Sequence, residues 1–281
     1  MASQRTRLLL NLGLLVAVGV LAAVALLRPG AEEAPARLTG QDAAAIVRIV
    51  VQGEDQVPVE LERRGAHWWM TRPWELEASP RRIEDLLGFA RAPVHASYPA
   101  DDLVLDRYGL APPRMRLELD DTVIAFGDTN PVSRSRYVRV GDRVHLIDDT
   151  RTYLLNATPE SYLGPRLLPR DARIEALALP GLRITRAPGG AGWQTDADVP
   201  ADLLQARINA WQGAEALWAK AYTPREGLPT VTVTLADGRT IAFTVAATEP
   251  DLELARPDLG IVYTLPGEAA TGLLGGPAPV D

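Results

Sequence analysis

Polar and apolar positions divide the chain into an apolar head and a long alternating body. From Leu8 to Leu27 the sequence LLLNLGLLVAVGVLAAVALL carries no charge, and Asn11 is its one polar side chain. At about 1.5 Å rise per residue, roughly 20 residues make a helix of about 30 Å, the thickness of a bilayer's hydrocarbon core. The pattern therefore predicts a transmembrane helix. Arg5 and Arg7 precede it and Glu32 and Glu33 follow it, an order that keeps the N-terminus cytoplasmic and exports the rest. A cleaved signal peptide would have an apolar core of only about 7–15 residues and a small-residue cleavage site directly after it. Here Ala34-Pro35-Ala36 comes late and contains proline, so an uncleaved anchor is expected.

The body opens with strand-like segments: Ile46 to Val51, Val57 to Leu61, and His67-Trp68-Trp69-Met70, with Gly65 at a tight turn before the third. The period then changes. Ser79 suits an N-cap and Pro80 the first helical position, and Ile83, Leu86, Leu87 and Ala90 form one apolar stripe on a helix ending near Arg91. Strand signals resume at Met115 to Leu119, Val123 to Phe126, Tyr137 to Val140 and Val144 to Ile147, the last two joined at Gly141-Asp142.

The same order recurs further on. Ile174 to Leu179 answers the first strand, Leu182 to Arg186 the second, and Gly192-Trp193-Gln194 the third, which aligns Trp193 with Trp69. A helix follows Pro200 with Leu204, Ile208 and Trp211 on one face. Val231 to Leu235, Thr240 to Phe243 and Ile261-Val262-Tyr263 then return the meander. The offset of about 120 residues is far longer than the 20–50 residues of solenoid repeats. The expected fold class is α+β: an N-terminal transmembrane helix followed by two tandem repeats of an antiparallel-sheet-plus-helix unit. The expected divisions are a cytoplasmic tip and anchor (1–28), a Pro/Ala/Glu-rich spacer (29–40), a first repeat (41–149), an inter-repeat segment (150–170) and a second repeat (171–281).

Composition narrows the function classes. The absence of cysteine excludes disulfides and thiol chemistry, and a net charge of -7 argues against nucleic acid. His67, His95 and His145 show no paired metal spacing, and Asp101-Asp102, Asp120-Asp121 and Asp148-Asp149 sit at element ends, where aspartate favours turns. Neither a nucleophile motif nor a phosphate loop is present. No cofactor, metal or catalytic residue is expected. Candidate interaction residues are Trp68 and Trp74, which with Trp69 form the densest aromatic patch, together with Tyr108 in its Pro-rich turn and Arg139 in a strand. Because strand neighbours face opposite sides, only one of Trp68 and Trp69 reaches the core. The match to Trp193 assigns Trp69 to the core and turns Trp68 outward or under the Trp74 loop.

Leu61-Glu62-Arg63 leading to Trp69, Tyr108-Gly109-Leu110 with Pro112, Phe126-Gly127 and Tyr137-Val138-Arg139 together resemble an uncharacterised bacterial family. It is a domain of unknown function found in membrane-anchored exported proteins. In the second half Gly227-Leu228-Pro229 lacks the tyrosine, and Thr244 replaces the glycine after the phenylalanine. The resemblance implies company with ABC-transporter components and gliding-motility-like auxiliary proteins, hence a membrane-protein partner, and brings no reaction with it. The resulting expectation is a non-enzymatic accessory component of an envelope complex, anchored in the bacterial inner membrane by Leu8–Leu27 with its body in the periplasm. The alternative is a periplasmic glycan- or peptide-binding module using Trp68 and Trp74.

Overall fold

The computed structural model describes residues 13–20, 22–23, 36–190 and 192–275. The expected α+β class is corrected: the described chain is mostly antiparallel β, in two sheets with few helices. Among the described residues from 36 onward the helices are short, namely α1 (Pro80–Leu87), α2 (Ala201–Gly213) and α3 (Ala269–Leu274). Segments that show no period in the sequence are strands here. The transmembrane expectation is corrected with it, since no helix among the described residues is long and apolar enough to cross a membrane. Of the Leu8–Leu27 stretch, residues 13–20 are helical. The remainder of Leu8–Leu27, apart from residues 22–23, lies outside the described residues.

The first sheet holds β1 (Arg48–Gln52), β2 (Val59–Arg64), β3 (His67–Arg72), β4 (Leu76–Glu77), β5 (Val94–Pro99), β6 (Met115–Leu119), β7 (Thr122–Thr129), β8 (Ser135–Val140) and β9 (Arg143–Asp148). Its spatial order is β4-β3-β2-β1-β6-β7-β8-β9-β5. The second sheet holds β10 (Ile174–Leu179), β11 (Leu182–Arg186), β12 (Trp193–Gln194), β13 (Trp218–Ala221), β14 (Thr230–Leu235), β15 (Thr240–Ala247), β16 (Leu252–Arg256) and β17 (Ile261–Leu265). Its order, β12-β11-β10-β14-β15-β16-β17-β13, is the first sheet's order without a counterpart of β4.

Alternation along the strands puts one face of each sheet inside. Ile49, Leu61, Leu117, Ile124 and Phe126 are fully buried in the first sheet, and Leu177, Ile184, Val231, Val233 and Phe243 in the second. A helix covers that face in each case. Ile83 and Leu86 of α1 pack on the first sheet, and Leu204, Ile208 and Trp211 of α2 on the second. The Ser79 hydroxyl caps α1 by accepting from the Arg82 backbone N–H at 3.5 Å. An aromatic pair marks each contact, Phe89 edge-on to Phe126 at 5.2 Å and Trp211 tilted over Phe243 at 5.4 Å.

The segment between the sheets is part of the core. Leu154, Leu155, Tyr162, Leu163, Leu167 and Leu168 are buried, and one continuous apolar cluster contains residues of both sheets. Its backbone stitches the two together. Leu163 bridges to Ala78, and the Gly164 N–H donates to the Glu77 carbonyl at 2.8 Å. Just beyond, Arg166 bridges to Glu215, and the Ala216 N–H donates to the Pro165 carbonyl at 2.7 Å. The first sheet receives the chain that precedes it in the same way: Arg37 bridges to Pro93, and the Val94 N–H donates to the Ala36 carbonyl at 2.8 Å.

Candidate functional site

The junction of the sheets forms two clefts, with Gly164 and Tyr263 lining both. The larger, of about 330 Å³, has an apolar floor of Leu167, Leu168, Ile241 and Tyr263, and Trp69, Glu77 and Arg166 are among its other walls. Glu77, whose side chain is 15% exposed, is held by Arg170 at 2.8 Å with His67 at 3.7 Å. Arg166 donates through Nη2 to the Gln212 carbonyl at 2.8 Å and lies 3.5 Å from Glu215, while its buried Nε has no partner in the protein. Burial pushes the Tyr263 hydroxyl up to about 12, against the pull of the Arg256 charge, so it stays a neutral donor and acceptor at any physiological pH. Arg256 is itself fixed by Asp258 at 2.7 Å. Hydrogen bonds from Arg256 outweigh the burial of Asp258 and hold its carboxyl below the ordinary value.

The smaller cleft, of about 270 Å³, lies beside the start of β13 and is lined by Ser79, Arg82, Glu160, Ser161 and Trp218 among others. Arg82 Nε donates to the Ser161 carbonyl at 3.1 Å. Leu217 and Trp218 are 54% and 53% exposed, and Trp218 was not among the candidates that the sequence suggests.

The aromatic candidates fall differently from expectation. Trp68 packs against the apolar core on the same face as the fully buried Met70, whereas Trp69 faces the larger cleft with the Arg64 guanidinium 5.4 Å from its ring centroid. Strand register explains the reversal. Trp68 pairs with Arg63, two residues past the buried Leu61, and Trp193 pairs with Arg186, two residues past the buried Ile184. The counterpart of Trp193 is therefore Trp68 and not Trp69. Trp74 is half-buried, and its indole Nε1 donates across the junction to the Leu259 carbonyl at 2.9 Å. The Trp68/Trp74 patch is thus packed against the core and pinned across the junction, with no shared open platform.

Tyr108 and Arg139 lie away from the clefts. Tyr108 is half-buried, edge-on to Tyr137 at 4.8 Å, in a small cluster with Ala100, Leu110 and Val144. The turn after it presses on β7: a Cβ on Gly127 would collide with the Tyr108 carbonyl, and Gly109 adopts φ +66. These two contacts explain why Tyr-Gly-Leu and Phe-Gly occur together in the sequence. Arg139 Nε donates to the Gly141 carbonyl at 3.0 Å and is engaged in its own hairpin. The structure does not bring Trp68, Trp74, Tyr108 and Arg139 together.

One polar cluster escapes sequence reading. Asp149, placed by sequence in a turn, receives Arg136 at 2.7 Å and Thr129 at 2.8 Å, and also the Thr152 hydroxyl. Arg136 also donates to the Gly127 carbonyl at 2.7 Å. Burial alone would raise the Asp149 carboxyl, but hydrogen bonds from Thr152, Arg136 and Thr129, with the Arg136 charge, hold it below the ordinary value. The partners come from β7, β8 and the segment after β9, so no sequence spacing reveals them. The histidines stay apart: His67 is near Glu77, His95 is 2.7 Å from Asp148, and burial and the charge of Arg143 push His145 below its ordinary pKa. Among the described residues no three carboxylate or imidazole groups gather where a metal ion would be held.

The sequence model of a family described as a domain of unknown function (DUF4340) matches residues 68–223. No curated protein and no solved structure matches the chain. The matched region runs from β3 through the junction segment to the residues after β13, and so contains both walls of the smaller cleft apart from Tyr263. As the match spans more than half of the 281 residues, the chain belongs to the DUF4340 family of domains of unknown function.

Proposed function

We propose that this protein is a non-catalytic accessory component of a bacterial envelope complex, engaging a membrane-protein partner of ABC-transporter type through the junction between its two sheets. The observation that carries the reading is how the polar and aromatic side chains of the junction are used. Trp74 bonds to the Leu259 carbonyl, Arg170 to Glu77, and Arg166 to the Gln212 carbonyl. These groups are engaged in holding two sheets in one body, which suits a scaffold for a partner better than a reaction centre. The exposed Leu217 and Trp218 beside the smaller cleft supply the apolar and aromatic contact that protein interfaces favour. The resemblance to exported proteins that accompany ABC-transporter components supports the envelope setting and the class of partner. A glycan or peptide platform on Trp68 and Trp74 is not favoured, because one ring packs on the core and the other is pinned across the junction.

The test is in-cell crosslinking of a C-terminally tagged full chain, followed by purification from membranes and identification of what accompanies it. A permease or auxiliary membrane protein in stoichiometric amount is expected. Recovery of the tagged protein alone would overturn the accessory reading.

A further inference from the structure

Among the described residues Glu160 is the one buried acidic residue, at 9% exposure. It stands in the single turn Pro159–Tyr162, which packs along β13. The turn is fixed by its own backbone: the Ser161 N–H donates to the Thr158 carbonyl at 3.0 Å, and the Leu163 N–H to the Glu160 carbonyl at 3.2 Å. Glu77 and Asp149, the other carboxylates of low exposure discussed above, are held by Arg170 and Arg136. The Glu160 carboxylate accepts no hydrogen bond and forms no ion pair among the described residues. A carboxylate so little exposed is costly without a partner, and such a group calls for something that compensates it.

Glu160 lines the smaller cleft, and Arg82 lines the same cleft. Arg82 is anchored through Nε, which donates to the Ser161 carbonyl at 3.1 Å, while its two terminal nitrogens have no partner among the described residues. Two opposite charges therefore share about 270 Å³ without pairing with each other. Tyr263, 2% exposed, adds a hydroxyl that makes no hydrogen bond among the described residues. Neither this hydroxyl nor the Glu160 carboxylate is sealed from solvent. At the mouth, the exposed Leu217 and Trp218 supply an apolar and aromatic rim.

We propose that the smaller cleft binds a small apolar zwitterion, an α-amino acid or dipeptide, with its ammonium group on Glu160 and its carboxylate on Arg82. The Tyr263 hydroxyl gives a further hydrogen bond, and the ligand's apolar side chain lies against Leu217 and Trp218. Charge complementarity is the ground for a zwitterion: a simple cation would meet the repulsion of Arg82, and a simple anion that of Glu160. Volume sets the size, since the cleft falls just below the roughly 300–1,000 Å³ of pockets for drug-sized ligands. The site goes beyond the accessory reading and does not depend on it, because the ligand binds the chain alone.

The experiment is isothermal titration calorimetry of the purified full chain with phenylalanine and with alanyl-phenylalanine, which carry the same end charges at two spacings. Saturable 1:1 binding of at least one is expected, and the tighter of the two tells amino acid from dipeptide. The N-acetyl form of that ligand lacks the ammonium and the amide form lacks the carboxylate, so each is expected to bind at least tenfold more weakly. Glu160→Gln, with an unchanged melting temperature, is expected to weaken binding at least tenfold, and Trp218→Ala at least threefold. No saturation by either ligand at about 10 mM would overturn the proposal. So would capped forms that bind as tightly as their parents, or a folded Glu160→Gln variant of full affinity. If Glu160→Gln does not fold, the capped forms decide. Recovery of a membrane partner by crosslinking is a separate result, so the accessory reading stands or falls without regard to this site.

Discussion

Asp149 shows how much of this fold is decided by single polar groups. Its side chain and that of Arg136 are only 16% and 17% exposed, so each depends on the other for compensation. Removing one partner of such a pair leaves a poorly solvated charge, which costs about 2–4 kcal/mol. The pH dependence follows from the direction of the shift. The folded carboxyl lies below its ordinary value of 3.8, so its contribution is fully present above the ordinary carboxylate range. That contribution is lost as pH falls through the depressed folded value. Asp149→Asn is therefore expected to lower unfolding stability by about 2 kcal/mol at neutral pH, with the gap to wild type closing at strongly acid pH. Urea titrations of both proteins across that range check it, and a gap that stays constant with pH would show that the carboxylate charge is not what stabilises the site.

At the scale of elements, what was legible is what local sequence controls. Met115–Leu119, Ile174–Leu179 and Leu182–Arg186 coincide with β6, β10 and β11, because alternation within each strand fixes its buried face. The stripe Leu204, Ile208 and Trp211 likewise names the buried face of α2. β5, β13 and β16 were not legible. Trp218-Ala-Lys-Ala221 carries small and exposed residues at the edge of its sheet, and its strand character comes from pairing with β17, distant in sequence. The faces of Trp68 and Trp69 were misassigned for a similar reason. They depend on where β3 docks against Leu61 and Arg63, and a one-residue change in register exchanges the two rings. Trp74 shows the same limit, since its partner Leu259 lies far along the chain, in the turn between β16 and β17 of the other sheet. Trp74→Phe keeps most of the ring and removes the Nε1 donor to the Leu259 carbonyl, so it is expected to cost about 1–2 kcal/mol in chemical denaturation. An unchanged midpoint and slope would mean that the indole bond adds nothing to the junction.

For the whole molecule the question is whether two sheets of the same strand order behave as two domains or one. Separate domains are joined by exposed linkers that few contacts cross. Here the connecting segment buries Leu163, Leu167 and Leu168, hydrogen-bonds to both sheets, and belongs to an apolar cluster that runs through them. Opening the junction would expose those leucines and strand the backbone groups paired at Glu77 and Ala216, so neither sheet gains by unfolding ahead of the other. The body is expected to melt in one cooperative transition, with the calorimetric and van't Hoff enthalpies equal and with near- and far-ultraviolet circular dichroism superimposed. Leu167→Ala, at a position 3% exposed, is expected to cost about 2–4 kcal/mol, and it places the lesion in the segment that couples the sheets. If the coupling runs through that segment, the variant's transition broadens or divides while the content of sheet stays the same. Two resolved transitions in the wild-type protein would instead mean that each sheet holds its own stability. The clefts at the junction would then open and close independently of either fold.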